Sequence, residues 1–192
     1  MTILHIDSSI NGANSASRAI SQSIVDQLTI ERGGGVVRRR DLVSEPLPHL
    51  TLDAFADTSV LDEFLAAETV VIGAPMYNFT LPTQLKAWLD RILVAGKTFR
   101  YTADGPEGLA TGKTVIVASA RGGFYGADTP RAAFDFQEPY LRQVFGFVGI
   151  DDVTFVRSEG IAIGPDQRQA AIDAALAAIP GAVAPFLPAQ AA

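Results

Sequence analysis

Three short stretches of this 192-residue chain carry residue types suited to holding a ligand. The first is Asp7-Ser8-Ser9-Ile10-Asn11-Gly12-Ala13-Asn14-Ser15-Ala16-Ser17-Arg18, where hydroxyls at Ser9, Ser15 and Ser17 gather ahead of a helical pattern. A helix starting there offers unpaired N–H groups and the positive end of its dipole, and small hydroxyl residues let a phosphate come close. An ordinary N-cap at Asn14 or Ser15 is the competing account, and three hydroxyls together favour phosphate over it. The second stretch is Ala74-Pro75-Met76-Tyr77-Asn78-Phe79, between an apolar run and a helix. Pro75 stiffens that loop, and the amides of Tyr77, Asn78 and Phe79 can meet a flat polar ligand. Alone, the same residues equally describe a tight turn with aromatics capping the core. The third is Ser119-Ala120-Arg121-Gly122-Gly123-Phe124-Tyr125-Gly126. Its paired glycines permit close backbone approach, and Arg121 adds a charge suited to a polar ring edge or a phosphate.

Alternating elements must position these loops. Ile3 to Asp7 reads as a strand, and Ser15 to about Thr29 as a helix with Ile20, Ile24, Val25 and Leu28 on one stripe. Val36 to Leu42 reads as an edge strand protected by Arg38-Arg39-Arg40, and a short helix spans about Leu61 to Ala67. Thr69-Val70-Val71-Ile72-Gly73 is a buried parallel strand, followed by a helix over Gln84 to Val94 that opens near Pro82. Strands at Val115 to Ala118 and Val153 to Val156 alternate with helices at Tyr140 to Phe147 and Asp166 to Ile179. This alternation predicts an α/β fold with helices on both faces of a five-stranded parallel sheet, in the flavodoxin-like order 2-1-3-4-5. The switch point then lies between the first and third strands, so the loops at Ser9 and Met76 face one another. One domain over residues 1–192 is expected.

Two motifs are discarded. Gly108-Leu109-Ala110-Thr111-Gly112-Lys113-Thr114 resembles a P-loop, but its glycines stand one residue too close and it runs into a strand. No G-x-G-x-x-G follows the first strand, which disfavours a dinucleotide held in the Rossmann manner.

Composition bounds the function. A net charge of −6 and a pI near 4.8 argue against nucleic acid. The absence of cysteine excludes disulfides and thiol catalysis, and two histidines make a histidine-rich metal site unexpected. His5 inside a strand and His49 in a Pro-rich loop are expected to be packed or solvated. No segment reads as long enough to span a membrane, and Met1-Thr2-Ile3-Leu4 enters a strand without a basic leader, so a cytoplasmic protein is expected.

The loops, taken in order, resemble those of the FMN-dependent NADH-azoreductases, members of the flavodoxin-like NAD(P)H:quinone reductases. The likeness covers nearly the whole chain. It is densest from Ala74 through Gln84-Leu85-Lys86 to Phe99-Arg100-Tyr101-Thr102 and Gly105-Pro106-Glu107-Gly108-Leu109. It resumes at Arg121-Gly122-Gly123, Pro139-Tyr140-Leu141, Gly146-Phe147-Val148-Gly149-Ile150 and Glu159-Gly160.

The resemblance implies FMN as cofactor and NADH as electron donor. It places the phosphate on Ser9, Ser15, Ala16 and Ser17, and the flavin ring on Met76, Tyr77, Asn78 and Phe79 and on Ala120, Arg121, Gly122 and Gly123. Relatives usually carry a hydroxyl where this chain has Ala120, and their segment between the second and third strands is longer. A ping-pong cycle is implied, reducing quinones and, in two rounds, azo bonds to amines. Phe99, Tyr101 and Phe124 would line a slot for a flat substrate, partly across a homodimer, unless they are core; Phe147 is expected in the core. A flavodoxin-type electron carrier, a general NAD(P)H quinone or nitro reductase with little azo activity, and a nucleotide-free interaction module are the alternatives.

Overall fold

The computed structural model describes residues 1–187. Residues 188–192, the end of the expected domain and of its Ala- and Pro-rich tail, lie outside the described residues. The chain runs β1 (Thr2–Asp7), α1 (Ala16–Glu31), β2 (Val36–Asp41), α2 (Ser59–Ala66), β3 (Thr69–Pro75) and α3 (Thr83–Ile92). It continues through β4 (Phe99–Thr102), β5 (Gly105–Gly108), β6 (Thr114–Arg121), α4 (Glu138–Phe147), β7 (Val153–Glu159) and α5 (Pro165–Val183).

Five strands pair in parallel in the order β2-β1-β3-β6-β7. Period-two alternation sends Leu4, Ile6, Val70, Ile72, Val115 and Val117 to one face, against Phe64, Leu85, Trp88, Leu141 and Phe145 of α2, α3 and α4. Ile3, Val71, Ile116 and Ala118 face the other way, onto Ile20, Ile24 and Leu28 of α1 and Ala175, Ile179 and Val183 of α5. Both faces are covered, which is why the central strands read as continuous apolar runs.

The five-stranded parallel sheet is present as expected, and among the described residues two further strands stand outside it. The segment that carries Phe99 and Tyr101 is an antiparallel ribbon of β4 and β5, separate from the main sheet. Its second strand holds Gly105, Pro106 and Gly108, whose composition signals turns, and such residues survive only in edge pairing. A Cβ on Gly108 would collide with the backbone of Val148 and Gly149, so glycine there lets the ribbon sit against the end of α4. Phe99 is buried on Phe147 with centroids 4.7 Å apart, while Tyr101 is 75% exposed.

A correction concerns apolar length. Within Pro165–Phe186, 22 residues in all, an 18-residue window reaches a mean hydropathy of 1.3, so by length and composition alone this segment could cross a membrane. Alanines on every side of α5 raise that average, yet the stripe of Ile172, Ala175, Ile179 and Val183 is buried in the protein. The discarded P-loop segment leads into β6 as expected, and its Lys113 Nζ donates to the carbonyls of Leu65 and Ala67 at 2.7 and 2.6 Å.

Candidate functional site

Parallel register brings three strand ends together: Asp7 pairs with Gly73, and Pro75 with Ala120. Each chain exit from these strands is then held by a specific bond. Ser8 anchors the first loop on β3, its N–H and Oγ both reaching the Gly73 carbonyl, at 3.2 and 2.8 Å. Arg18 grips the Ser9 carbonyl with Nε and Nη2 at 3.1 and 2.9 Å. The same guanidinium is bidentate to Asp41 at 2.7 Å for both bonds, tying the start of α1 to the end of β2. That pairing holds the Asp41 carboxyl down at about 2.

Ser15 is the N-cap of α1, its Oγ accepting the Arg18 N–H at 3.3 Å and lying 3.1 Å from Ser17 Oγ. Serine capping and phosphate binding are therefore compatible rather than rival roles. No acidic residue stands in the first turn, so the positive end of the helix is left uncompensated. Among the described residues the amides of Ala16 and Ser17 find no acceptor.

The second loop closes by reciprocal backbone bonds between Tyr77 and Thr80, at 2.9 and 3.1 Å. Its two central residues, Asn78 and Phe79, have φ of +47° and +73°, as in an I′ hairpin turn. Asn tolerates that region; a bulky Phe there costs of order 1 kcal/mol or more and marks a place where conformation is imposed by the surroundings. The amides of Asn78 and Phe79 find no acceptor among the described residues. Tyr77 reaches back to the first loop, its hydroxyl 3.3 Å from Ser9 Oγ and accepting the Ile10 N–H at 3.2 Å. Met76 N–H donates to the Ala120 carbonyl at 2.8 Å, which joins the second loop to the third.

In the third loop, the carbonyls of Arg121, Gly122 and Gly123 accept the N–H groups of Ile161, Ala162 and Gly160. With those carbonyls engaged, the N–H groups of Gly122 and Gly123 find no acceptor among the described residues. Arg121 itself turns away. Its side chain, 1% exposed, ion-pairs with Asp135 at 2.9 Å, Glu159 at 3.2 Å and Glu138, and Nε donates to Ser119 Oγ at 3.0 Å. Its charge is thus committed to carboxylates, not to solvent or to the loop's open side. Glu159 also accepts the Tyr125 N–H at 2.8 Å, so one carboxylate fixes both ends of this loop. Asp135, Glu138 and Glu159 escaped notice as site residues; a lone cation before two glycines in an apolar strand was the signal that buried acids must answer it.

The aromatics divide. Phe79 stacks near Phe134 and Tyr125, with centroids 5.6 and 6.3 Å away, and Phe124 and Phe136 are exposed beside them. Phe99 is packed under the β4–β5 ribbon and only Tyr101 projects from it. Beneath the first loop lies a second polar layer. His5 Nε2 is 2.9 Å from Ser21 Oγ, which donates to Asp7 Oδ1 at 2.9 Å. Gly73 makes room for this layer, since a Cβ there would collide with the Asp7 carboxylate. Burial, reinforced by Arg39, pushes His5 down to about 4, and burial raises Asp7 against the pull of Ser21 and Arg18.

The arrangement suits a ligand with an anionic end at α1 and a flat, hydrogen-bonding end between the second and third loops. A phosphorylated isoalloxazine fits that description: six unpartnered amides and three hydroxyls gather there, with Arg18, Arg39 and Arg168 standing near the phosphate end.

The family profile described as "Flavodoxin-like fold" matches residues 1–181. An FMN-dependent NADH:quinone oxidoreductase of Rhizobium meliloti (strain 1021) is 55% identical over 190 residues, covering 90% of this chain and 92% of the relative. An FMN-dependent NADH:quinone oxidoreductase 1 of Xanthomonas euvesicatoria pv. vesicatoria (strain 85-10) is 53% identical, covering 93% and 95%. Among solved structures, an azoreductase from Bacillus anthracis str. Sterne superposes with a TM-score of 0.84 at 27% identity, covering 93% of this chain and 96% of the other.

The His5 layer has a pH signature. Unfolded His5 takes up a proton below its ordinary 6.5, whereas the folded protein resists until about 4, so the unfolded state gains the extra proton across that window. Stability should fall as pH drops from 6.5 to 4, with a contribution of roughly 3 kcal/mol from this one group. His5→Gln should flatten that limb in urea titrations run at neutral pH and at about pH 4.5. An equally steep acid loss in the variant would assign the effect elsewhere.

Proposed function

The chain belongs to the flavodoxin-like family of FMN-dependent NADH:quinone oxidoreductases and azoreductases, and from that premise we propose that it serves NADH and a flat acceptor in turn at one FMN site. It is an oxidoreductase of the FMN- and NADH-dependent class. The observation that carries the reading is the convergence of unpartnered amides from Ala16, Ser17, Asn78, Phe79, Gly122 and Gly123 at three adjoining strand ends. When bound, FMN supplies the two-electron transfer between donor and acceptor.

The chain's own residues bind, orient and exclude water. Ser9, Ser15, Ala16 and Ser17 hold the phosphate with three hydroxyls and the helix amides. Asn78, Phe79, Gly122 and Gly123 offer backbone donors to the ring edge, which favours negative charge there, while the Met76 and Tyr77 amides are spent on holding the loops. Ala120 brings no hydroxyl and acts through its carbonyl, which holds Met76 in place. Arg121 acts from below by bracing the glycine pair. Phe124 and Tyr101 are exposed rings that can cover a planar acceptor, and Phe99 supports Tyr101 from 5.6 Å. Quinones need one donor molecule each and an azo bond needs two, ending as two amines. The segment between β2 and β3, which the resemblance makes shorter than in relatives, leaves Leu52 and Phe55 exposed, and acceptor range depends on it, with quinones turned over faster than bulky azo dyes.

The same proposal includes one domain, a cytoplasmic location and a homodimer. The span-length helix is docked on the sheet through its apolar stripe. Phe79, Phe134 and Phe136 leave an aromatic cluster in water that a second copy would cover.

Four measurements test this. Purified protein should carry flavin colour that NADH alone bleaches without oxygen, and initial rates at several quinone concentrations should give parallel double-reciprocal lines. Intersecting lines refute the alternating use of one site, and a flavin that NADH leaves oxidised points to an electron carrier. Replacing Ser15 and Ser17 together by Ala should weaken FMN binding by about tenfold or more, from the loss of charge-assisted hydrogen bonds. An unchanged dissociation constant removes the phosphate from α1. Sedimentation at micromolar concentration should show a dimer, and a lone 20.3 kDa species would exclude it.

A further inference from the structure

Beyond the glycine pair lies a cavity of about 880 Å³, lined by Gly122, Gly123, Phe124, Asp128, Arg131 and Ile163 among others. We propose that this cavity takes the adenosine diphosphate half of NADH, which rests on the reading that NADH is the donor. Its size falls within the roughly 300–1,000 Å³ range of small-molecule sites. Its position follows from shared walls: Gly122 and Gly123 border both the ring loop and this cavity. A dinucleotide with its nicotinamide over the ring therefore has its second half beside the third loop.

The lining chemistry matches that half piece by piece. Phe124 and Ile163 are large apolar side chains left in water, and an adenine stacked between them would cover both. Arg131 makes no ion pair or side-chain hydrogen bond with the described residues, so its guanidinium is available to a pyrophosphate. Asp128 likewise has no hydrogen-bonded partner among them and can accept from ribose hydroxyls; the same carboxylate would repel a 2′-phosphate. In a chain of net charge −6, an unpaired cation beside the ligand loop counters a general repulsion of the anionic donor.

The walls are also fixed in advance. Gly160, Ile161 and Ala162 are strapped to the third loop by three backbone bonds of 3.0 to 3.1 Å. Thr129 N–H closes on the Gly126 carbonyl at 2.9 Å, and Tyr125 N–H on Glu159 at 2.8 Å. The neighbouring cavity lined by Glu138, Arg157 and Glu159 is a poorer candidate, because Arg121 and Arg157 there are already neutralised by carboxylates.

The test uses the oxidised holoenzyme and ADP-ribose, which lacks the nicotinamide, titrated by calorimetry. ADP-ribose should bind, and Arg131→Ala should weaken it about tenfold or more. In rapid reduction experiments the same variant should raise the dissociation constant for NADH by a similar factor. It should leave that for reduced nicotinamide mononucleotide, which has no adenylate, unchanged. Asp128→Asn should narrow the gap between ADP-ribose and its 2′-phosphorylated form. No heat with ADP-ribose, or binding that Arg131→Ala leaves unaltered, overturns the proposal. A protein that NADH cannot reduce would refute the proposed function, while the ADP-ribose titration, which involves no turnover, would still decide this inference.

Discussion

The in-register parallel pairing of β1, β3 and β6 is the constraint on which the rest depends. Parallel strands point their carboxyl ends the same way, so the loops after Asp7, Pro75 and Arg121 emerge side by side. None of these loops alone holds enough donors for a cofactor. Their adjacency lets each be short and lets each borrow rigidity from the next, through Tyr77 to the first loop and the Ala120 carbonyl to the second. The strand order therefore does what a longer, self-contained binding loop would otherwise have to do.

Electrostatics are arranged in two layers around that edge. In the lower layer, charges meet charges: Arg18 with Asp41, and Arg121 with three carboxylates. A buried ion cluster adds little net stability after desolvation, but removing one partner strands the others, so the cluster fixes loop position more than it strengthens the fold. In the upper layer the free donors are amides and hydroxyls, with guanidiniums close by only at the start of α1. Between the second and third loops the free donors are amides, which leaves the ring's electronic character to backbone dipoles.

How much of this was legible follows from the range of the interactions. The strands flanking the site showed in the sequence because burial on both faces makes them uninterrupted apolar runs, as at Val70-Val71-Ile72. The loops showed because they follow those strands directly. The β4–β5 ribbon did not, since Gly105-Pro106-Glu107-Gly108 carries turn residues and its pairing is justified only by packing on Val148 and Gly149. The direction of Arg121 was also hidden. Its partners Asp135, Glu138 and Glu159 lie 14 to 38 positions away, and local patterning says nothing about which side of a strand end a long side chain will take. For Phe99 the sequence left core and substrate slot both open for the same reason: its partner Phe147 belongs to a helix that folds back from elsewhere.

The remaining feature to account for is the apparent waste at the second loop. Phe79 sits in a backbone region that glycine would occupy without strain, and the amides of Asn78 and Phe79 face outward without acceptors. In a loop serving only as a connection, Asn-Gly would fit the same turn at lower cost. The turn aims a benzyl ring at Phe134 and Tyr125 while presenting consecutive N–H groups on its other side, and a glycine could do only the second. Strain of this kind persists when neighbouring contacts impose it, here the bond from Phe136 N–H to the Phe79 carbonyl at 3.0 Å. Ligand binding then satisfies donors that are already aimed and adds its own stabilisation to the folded state by mass action, about 2.7 kcal/mol at a ligand concentration one hundred times the dissociation constant. The loop thus trades intrinsic stability for readiness, and the polar bonds from Ser9 and Ala120 on either side keep that trade from unfolding the sheet edge.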